Sequence, residues 1–347
     1  MAVPVPGLTQ TTARFAAADD AIAAFWAWWA SNAEALTEAL NCGQAGDWRV
    51  QLSERVRALH PKLQWELRSG QVASFALCLS GTGDAVLRIT AERWRQAGPD
   101  SDDVWEFHAS RPAASKAESL VLHIAGEAMA LADLRIGVAD DPGRERLNCR
   151  VYHPAFSGLP TAMRDSVAVL LLDHAVGEDG VESWLGAINT STSVPEDPRT
   201  VMELNAAIGW RKDTATGVHW GVTTAPSPDG TLFQIVNYAV KRWAYPTFDV
   251  RCDLTFELQR PTPAGIPDPW ESEGFEAIED GLARGLKDHA VLVARTSGRQ
   301  RHTVHLYARE DSIAPDAIAA WARGLDRPVD VTWEFDPEWR LLTSSPE

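Results

Sequence analysis

Two stretches of the chain change their hydrophobic periodicity in the same order, which limits the folds open to this sequence. In residues 63–109, two alternating strands form a hairpin that is followed by an amphipathic helix and one more strand. Residues 289–335 show the same order again. Alternation puts apolar side chains on one face of a sheet, whereas a helical period puts them on one face of a helix. The pattern therefore predicts an α+β fold of two modules, each with an antiparallel sheet, helices on one face and a ββαβ (ferredoxin-like) unit.

Short sequence similarities favour an internal repeat. Residues 68–71 correspond to residues 296–299 at the hairpin turns, and residues 103–107 correspond to residues 331–335 in the last strands. Both of these last strands contain the order Trp-Glu-Phe. A chance match of short strands is the alternative interpretation. We expect two related modules.

The chain length and its linker signals predict two domains. At roughly 150 residues per domain, 347 residues are enough for two. Residues 193–198 are rich in Pro and polar side chains, and residues 212–217 form a second polar stretch. Three new strands are predicted after that stretch. We therefore place an N-terminal α+β domain in residues 1–213 and a C-terminal α+β domain in residues 214–347.

The charge balance excludes some classes of partner. The chain has 48 acidic and 32 basic side chains, a net charge of −16. This charge repels the phosphates of nucleic acids and of anionic membranes, so neither is an expected partner. A protein with a basic surface is the favoured partner, because complementary charge speeds encounter. The oligomeric state is left open by the sequence.

The sequence predicts a cytoplasmic protein. The four Cys residues are widely spaced, which favours buried, reduced thiols in a reducing compartment. Residues 1–10 show no signal-peptide pattern. The longest apolar run, residues 21–30, is about half of the length that a bilayer crossing needs.

A cluster of polar side chains at the end of a predicted helix, residues 160–176, is the main candidate site. Asp173, His174 and Glu178 could bind a divalent cation or act as an acid/base pair. The helix dipole disfavours a carboxylate at this end, so these residues mark either a site or a solvated helix terminus. No EF-hand spacing and no His-x-x-x-His grouping is present, so we predict no metal and no cofactor.

Tryptophan is unusually frequent, with 15 Trp against 10 Phe and 4 Tyr. Trp26 and Trp29 lie on the apolar stripe of the first predicted helix, so core packing explains both. Trp28 lies off that stripe. Because exposed Trp is enriched where proteins bind each other, Trp28 is a candidate partner contact.

Several short motifs after residue 219 point to a known family. They are Pro228-Asp229-Gly230, Val236-Asn237, Tyr245-Pro246, the helix segment 278–282 and Asp336-Pro337-Glu338-Trp339. On these motifs, residues 219–347 resemble the bacterial family called domain of unknown function 695. The N-terminal part looks like uncharacterised bacterial proteins that often precede that domain, through motifs that include Trp65-Glu66 and Leu172-Asp173.

The resemblance implies an α+β fold but no activity and no catalytic residue. The family is distantly similar to the regulator of ribonuclease E activity B, a small acidic protein that acts by binding an enzyme, which implies a binding role. We therefore predict a non-catalytic protein-binding or regulatory module. The alternative is a metal-assisted hydrolase that uses Asp173, His174 and Glu178. A third possibility is a binder of a small apolar or aromatic ligand in a Trp-lined cleft between the modules.

Overall fold

The computed structural model describes residues 15–44, 46–124, 126–215, 217–227 and 230–342. The chain divides into two compact units. The N-terminal unit extends to Ala215, and the C-terminal unit follows it. Both units combine helices with sheets that are mainly antiparallel, so the predicted α+β class is confirmed.

The first half of the N-terminal unit is built on a three-stranded sheet. Its elements are α1 (Ala16–Asn41), α2 (Gly46–Leu59), β1 (Gln64–Ser69), β2 (Phe75–Ser80), α3 (Ala85–Ala97) and β3 (Trp105–His108). The strand order is β1-β2-β3, with β1 antiparallel and β3 parallel to β2. Asp84 before the amphipathic segment predicts the start of helix α3, and in the structure its carboxylate accepts hydrogen bonds from the backbone N–H groups of Val86 and Leu87.

Aromatic side chains fill the first core, which lies between α1, α3 and this sheet. Trp94 and Trp105 are buried, and Trp65 packs against the same cluster while partly exposed. The rings of Trp26 and Trp94 stack with centroids 4.9 Å apart, and the Trp26 Nε1–H donates to the Trp94 carbonyl at 2.7 Å. Most of the tryptophan in this half is therefore core material, since indole rings bury a large apolar area.

The second half of the N-terminal unit has its own core. Its elements are β4 (Val121–Ile124), β5 (Glu127–Ala130), β6 (Arg135–Asp141), β7 (Arg146–Tyr152), α4 (Thr161–Val176), α5 (Glu178–Trp184), β8 (Leu185–Ser191), β9 (Pro198–Arg199) and α6 (Val201–Thr214). Strands β4 and β5 form a hairpin, and the other strands form a sheet of order β8-β7-β6-β9. Helices α4 and α6 pack their buried side chains into the second core.

Two local predictions in this half are wrong. The sequence of residues 129–138 predicts one strand, but a 3-10 turn at Leu131–Asp133 divides this segment into β5 and β6. Leu131 and Leu134 are both buried at this turn, so buried apolar side chains here do not mark a continuous strand. The polar stretch 212–217 predicts a loop, yet α6 continues to Thr214.

The C-terminal unit is a six-stranded antiparallel sheet with two helices. Its elements are β10 (Trp220–Ser227), β11 (Gly230–Asn237), β12 (Val250–Glu257), α7 (Pro269–Leu286), β13 (Ala290–Gly298), β14 (Arg301–Ala308), α8 (Ala314–Arg323) and β15 (Asp330–Phe335). The strand order is β10-β11-β13-β14-β12-β15. Within it, β12-α7-β13-β14-α8-β15 has the βαββαβ connectivity of ferredoxin-like folds, and the β10–β11 hairpin extends the sheet beside β13.

The two ββαβ segments share their order along the chain but not their strand pairing. In the N-terminal unit, β3 pairs directly with β2. In the C-terminal unit, β12 lies between β14 and β15 and pairs with both. The difference follows from what precedes each hairpin: a strand and a helix precede β13, whereas two helices precede β1.

We expect Trp94→Ala to lower the free energy of unfolding of the N-terminal unit by about 3–5 kcal/mol, because the cavity left in a packed aromatic core cannot collapse fully. Trp270→Ala is the matched control. Trp270 is also on a helix but is 63% exposed, so its loss should cost within about 0.5 kcal/mol. Urea denaturation followed by circular dichroism measures both, and equal losses would contradict the assignment of Trp94 to the core.

Candidate functional site

The turn between α4 and α5 places Asp173 and Glu178 against the segment that follows β3. Gly177 joins the two helices with a φ of +81°. A Cβ atom there would lie 2.9 Å from the backbone nitrogen of Ala113. Glycine is therefore required twice at this position, for the backbone conformation and for the close approach of the two segments.

The guanidinium of Arg111 lies at the centre of the polar residues that this approach brings together. Its Nε is 2.6 Å from Glu66 Oε1, and its Nη1 is 3.1 Å from Glu178 Oε1. Asp173 is more distant, with its Oδ2 4.0 Å from Nη1. We call Glu66, Ser80, Arg111, Asp173 and Glu178 the Arg111 cluster. One buried cation thus faces three carboxyl groups.

Both carboxylate oxygens of Glu178 are engaged within the Arg111 cluster. Its Oε1 accepts a hydrogen bond from the Ser80 hydroxyl at 2.5 Å as well as from the Arg111 guanidinium. Its Oε2 accepts from the Arg111 backbone N–H at 3.0 Å. The backbone N–H of Glu178 in turn donates to the Arg111 carbonyl at 2.9 Å. Glu178 is therefore held by side-chain and backbone bonds at once.

The Arg111 cluster joins the two cores of the N-terminal unit. Glu66 and Ser80 come from β1 and β2, and Arg111 follows β3. Asp173 and Glu178 come from α4 and α5 of the second half. Buried charges need such partners, because an unpaired charge removed from water is very costly.

The cluster shifts two proton affinities in opposite directions. Burial raises the pKa of Asp173 to about 7, the negative charge of Glu178 adds to this rise, and Arg111 opposes it. Burial also lowers the pKa of the adjacent His174 to about 4, and the positive charge of Arg111 lowers it further. At neutral pH, His174 is therefore neutral, and Asp173 exchanges its proton close to physiological pH.

The arrangement does not resemble a metal site. Within the described ranges, no group of three or more His, Cys, Asp and Glu side chains is placed to hold a metal ion. At the cluster itself, the Arg111 guanidinium lies between Glu66 and Glu178, where a bound cation would have to lie. The geometry gives no support to the metal-assisted alternative.

Trp28 is not brought to the Arg111 cluster. It is half-buried on α1, with its ring centroid 5.9 Å from Phe25 and 6.3 Å from Trp48. The guanidinium carbon of Arg55 lies 5.7 Å from the centre of its ring. Trp28 lies outside the main apolar stripe of α1, on a side of the helix that α2 covers. Its ring therefore packs between the two helices.

An exposed apolar surface on α6 escaped the sequence analysis. Met202 and Trp210 are 63% and 66% exposed, and Ala206 is exposed between them. We call these three residues the α6 surface. Leu204 and Ile208 on the other side of the helix are buried in the second core. A helix with apolar residues on both sides is usually buried all round. Apolar residues on both sides of α6 were therefore the sequence signal that one side needs a further contact.

A hydrogen-bonded relay on the C-terminal sheet was also missed. His305 Nδ1 lies 2.8 Å from Asp253 Oδ1, and His305 Nε2 lies 2.8 Å from the hydroxyl of Thr296. Burial raises the pKa of Asp253, but its hydrogen bond to His305 and the charges of His305 and Arg251 outweigh burial and hold the pKa low. Because Asp253 and His305 are largely buried and paired across neighbouring strands, the relay satisfies polar groups within the sheet.

Comparisons with protein-family models, with curated proteins and with solved structures found no match to this chain. The resemblance of residues 219–347 to the domain of unknown function 695 family stays a prediction from the sequence. Pro228 and Asp229, which contribute to that resemblance, lie outside the described residues. In the part of the chain that the structure describes, no helix has both the length and the apolar character needed to cross a membrane.

We expect Asp173→Asn to stabilise the protein by an amount that grows as the pH rises from about 4 to 7. Because the folded pKa of Asp173 is raised to about 7, its stabilising contribution is complete below the unfolded pKa near 3.8 and is lost as the pH rises through 7. Asparagine imitates the protonated carboxyl, so the variant should gain about 2–4 kcal/mol near pH 8 and almost nothing near pH 4.

Urea denaturation at the two pH values measures this difference. Asp100→Asn, which replaces an exposed loop carboxylate, is the control. A variant that is less stable than the wild type near pH 8, or a gain that persists unchanged near pH 4, would contradict the role of Asp173.

Proposed function

We propose that this protein is a non-catalytic binding module for a partner protein with a basic surface, and that the α6 surface is its main contact. The observation that carries the proposal is the exposure of Met202 and Trp210 on one well-anchored helix. Partner binding is also the role that the family resemblance of residues 219–347 implies.

The side chains of the α6 surface suit a protein interface. Trp210 offers a large ring with one polar N–H group, and Trp is enriched among residues that dominate binding energy. Met202 lies eight residues earlier, about 12 Å along the helix axis, and its flexible thioether adapts to different partner shapes. Two such anchors with Ala206 between them can insert into apolar pockets of a partner.

The α6 helix is fixed at both ends, which favours binding without reorganisation. A capping box holds its start, because the Thr200 hydroxyl accepts from the Glu203 backbone N–H and the Glu203 carboxylate accepts from the Thr200 backbone N–H. Near its end, Arg211 forms an ion pair with Asp140 of β6. A preorganised surface loses less conformational entropy on association.

Charge favours a basic partner. The net charge of −16 produces a negative field around the protein, and the exposed carboxylates of Glu203 and Asp213 lie on α6 itself. Lysine and arginine around an apolar pocket of the partner would complement both features. The carboxyl groups of the Arg111 cluster contribute less to this field, since Arg111 partly neutralises them.

We expect Trp210→Ala to abolish capture of a partner from native lysate at low salt, because the substitution removes the central anchor. Once the captured partner is purified, the variant should bind it about 30-fold more weakly, the loss typical of a central interface residue. Raising the salt concentration should also weaken binding by the wild type, since charge steers the encounter.

Trp270→Ala is the matched control, because Trp270 is 63% exposed but lies in the C-terminal unit. Circular dichroism should show that both variants are folded. Capture that survives Trp210→Ala, or that is lost equally with Trp270→Ala, would overturn the assignment of the α6 surface.

A further inference from the structure

A cavity of about 650 Å³, widely open to solvent, lies on the outer face of the β8-β7-β6-β9 sheet. Its floor contains Asn148 and Arg150 of β7 and Asn189 of β8. The alternate residues of β7, Leu147, Cys149 and Val151, are buried in the second core on the other face of the sheet. Residues 193–197, which we call the strap, form its other wall. The volume falls in the range of about 300–1,000 Å³ that is typical of small-molecule sites.

The strap is tied to the sheet at two points. The Ser191 hydroxyl donates to the Ser193 carbonyl at 2.7 Å and accepts from the Ser193 backbone N–H at 3.1 Å. Pro195 packs on β6, where a Cβ atom at Gly137 would lie 2.9 Å from the Pro195 Cβ. Glycine at position 137 therefore allows the strap to lie close to the sheet.

The floor presents polar side chains with free donors, of which Arg150 and Asn189 are exposed to solvent. Over the residues that the structure describes, the Arg150 guanidinium forms no ion pair and no hydrogen bond, and the same holds for the Asn189 amide. Asn148 Oδ1 accepts from the Ala187 backbone N–H at 2.8 Å, which leaves its Nδ2 hydrogens for another acceptor. A guanidinium flanked by two amides matches the planar, bidentate geometry of a carboxylate.

The strap carries the opposite charge. Glu196 and Asp197 line the cavity from the strap and are exposed. Their carboxylates attract a cationic group and repel a ligand that is anionic throughout. A phosphate with close to two negative charges is repelled more strongly than a carboxylate with one.

We propose that this cavity binds a small zwitterion, with its carboxylate on Arg150, Asn148 and Asn189 and its ammonium group towards Glu196 and Asp197. The site is separate from the α6 surface and does not rest on the proposed protein partner. The outer face of this sheet would then bind a small molecule, while the α6 surface binds the partner protein.

Three probes with the same six-carbon chain test the charge pattern: 6-aminohexanoate, adipate and 1,6-diaminohexane. Each is titrated to about 20 mM into the full-length protein, and the side-chain NH₂ resonances of Asn148 and Asn189 are followed by nuclear magnetic resonance. We expect the zwitterion to bind most tightly. Arg150→Gln should weaken it about tenfold or more, because the charge that holds the carboxylate is lost.

Two further variants make the result decisive. Arg144→Gln replaces an exposed arginine in the β6–β7 turn outside the cavity, so binding should not change. The double variant Glu196→Gln/Asp197→Asn removes the repulsion and should strengthen adipate relative to 6-aminohexanoate. The proposal is overturned if no probe shifts the two asparagine resonances, if adipate or the diamine binds the wild type at least as tightly, or if Arg150→Gln has no effect.

Discussion

The buried charge of Arg111 is the constraint on which the N-terminal unit depends. Its side chain is only 11% exposed, so the cation has little water and must be compensated by the protein. Glu66 compensates it from the first core, and Glu178 compensates it from the second. The two cores are therefore joined by an electrostatic requirement in addition to backbone hydrogen bonds, and Gly177 permits the approach that makes the pairing possible.

This joint explains carboxyl groups that looked misplaced in the sequence. Asp173 lies in the last turn of α4, where the helix dipole disfavours negative charge, whereas Glu178 begins α5, where the dipole favours it. The sequence predicted these residues as a cluster, but it did not reveal their partner, because Arg111 is more than sixty residues away and stands in no recognisable motif. The cation that a metal hypothesis would supply is present as a side chain of the protein itself.

Features encoded within a few residues were predictable, whereas those set by distant segments were not. The Asp84 cap and the apolar stripe of α3 are local, and both were found where expected. Strand β15 pairs with β12, which lies about eighty residues earlier in the chain, and hydrophobic periodicity alone cannot indicate this pairing. The second hairpin also turns at Arg299 and Gln300, both with positive φ, and not at the Ser-Gly pair before them.

The same limit applies to the binding surfaces. An apolar side chain has the same sequence signature whether it faces a core or solvent. The sequence therefore could not show that Met202 and Trp210 are exposed and not buried. The strap cavity combines one lone arginine with two asparagines that no motif connects. Surfaces of this kind become visible only when the sheet register places β7 beside β8 and the strap over β6.

Asp173 and His174 together reduce the pH sensitivity of the joint. Between about pH 4 and 6.5 the folded protein binds a proton on Asp173, whose pKa is raised, while the unfolded chain binds one on His174 instead. The two states then bind equal numbers of protons at these residues, so the stabilisation lost at His174 as the pH falls is offset by that gained at Asp173. Neighbouring residues with opposite shifts thus keep a buried ionic joint steady over this range, whereas either shift alone would make it pH-dependent.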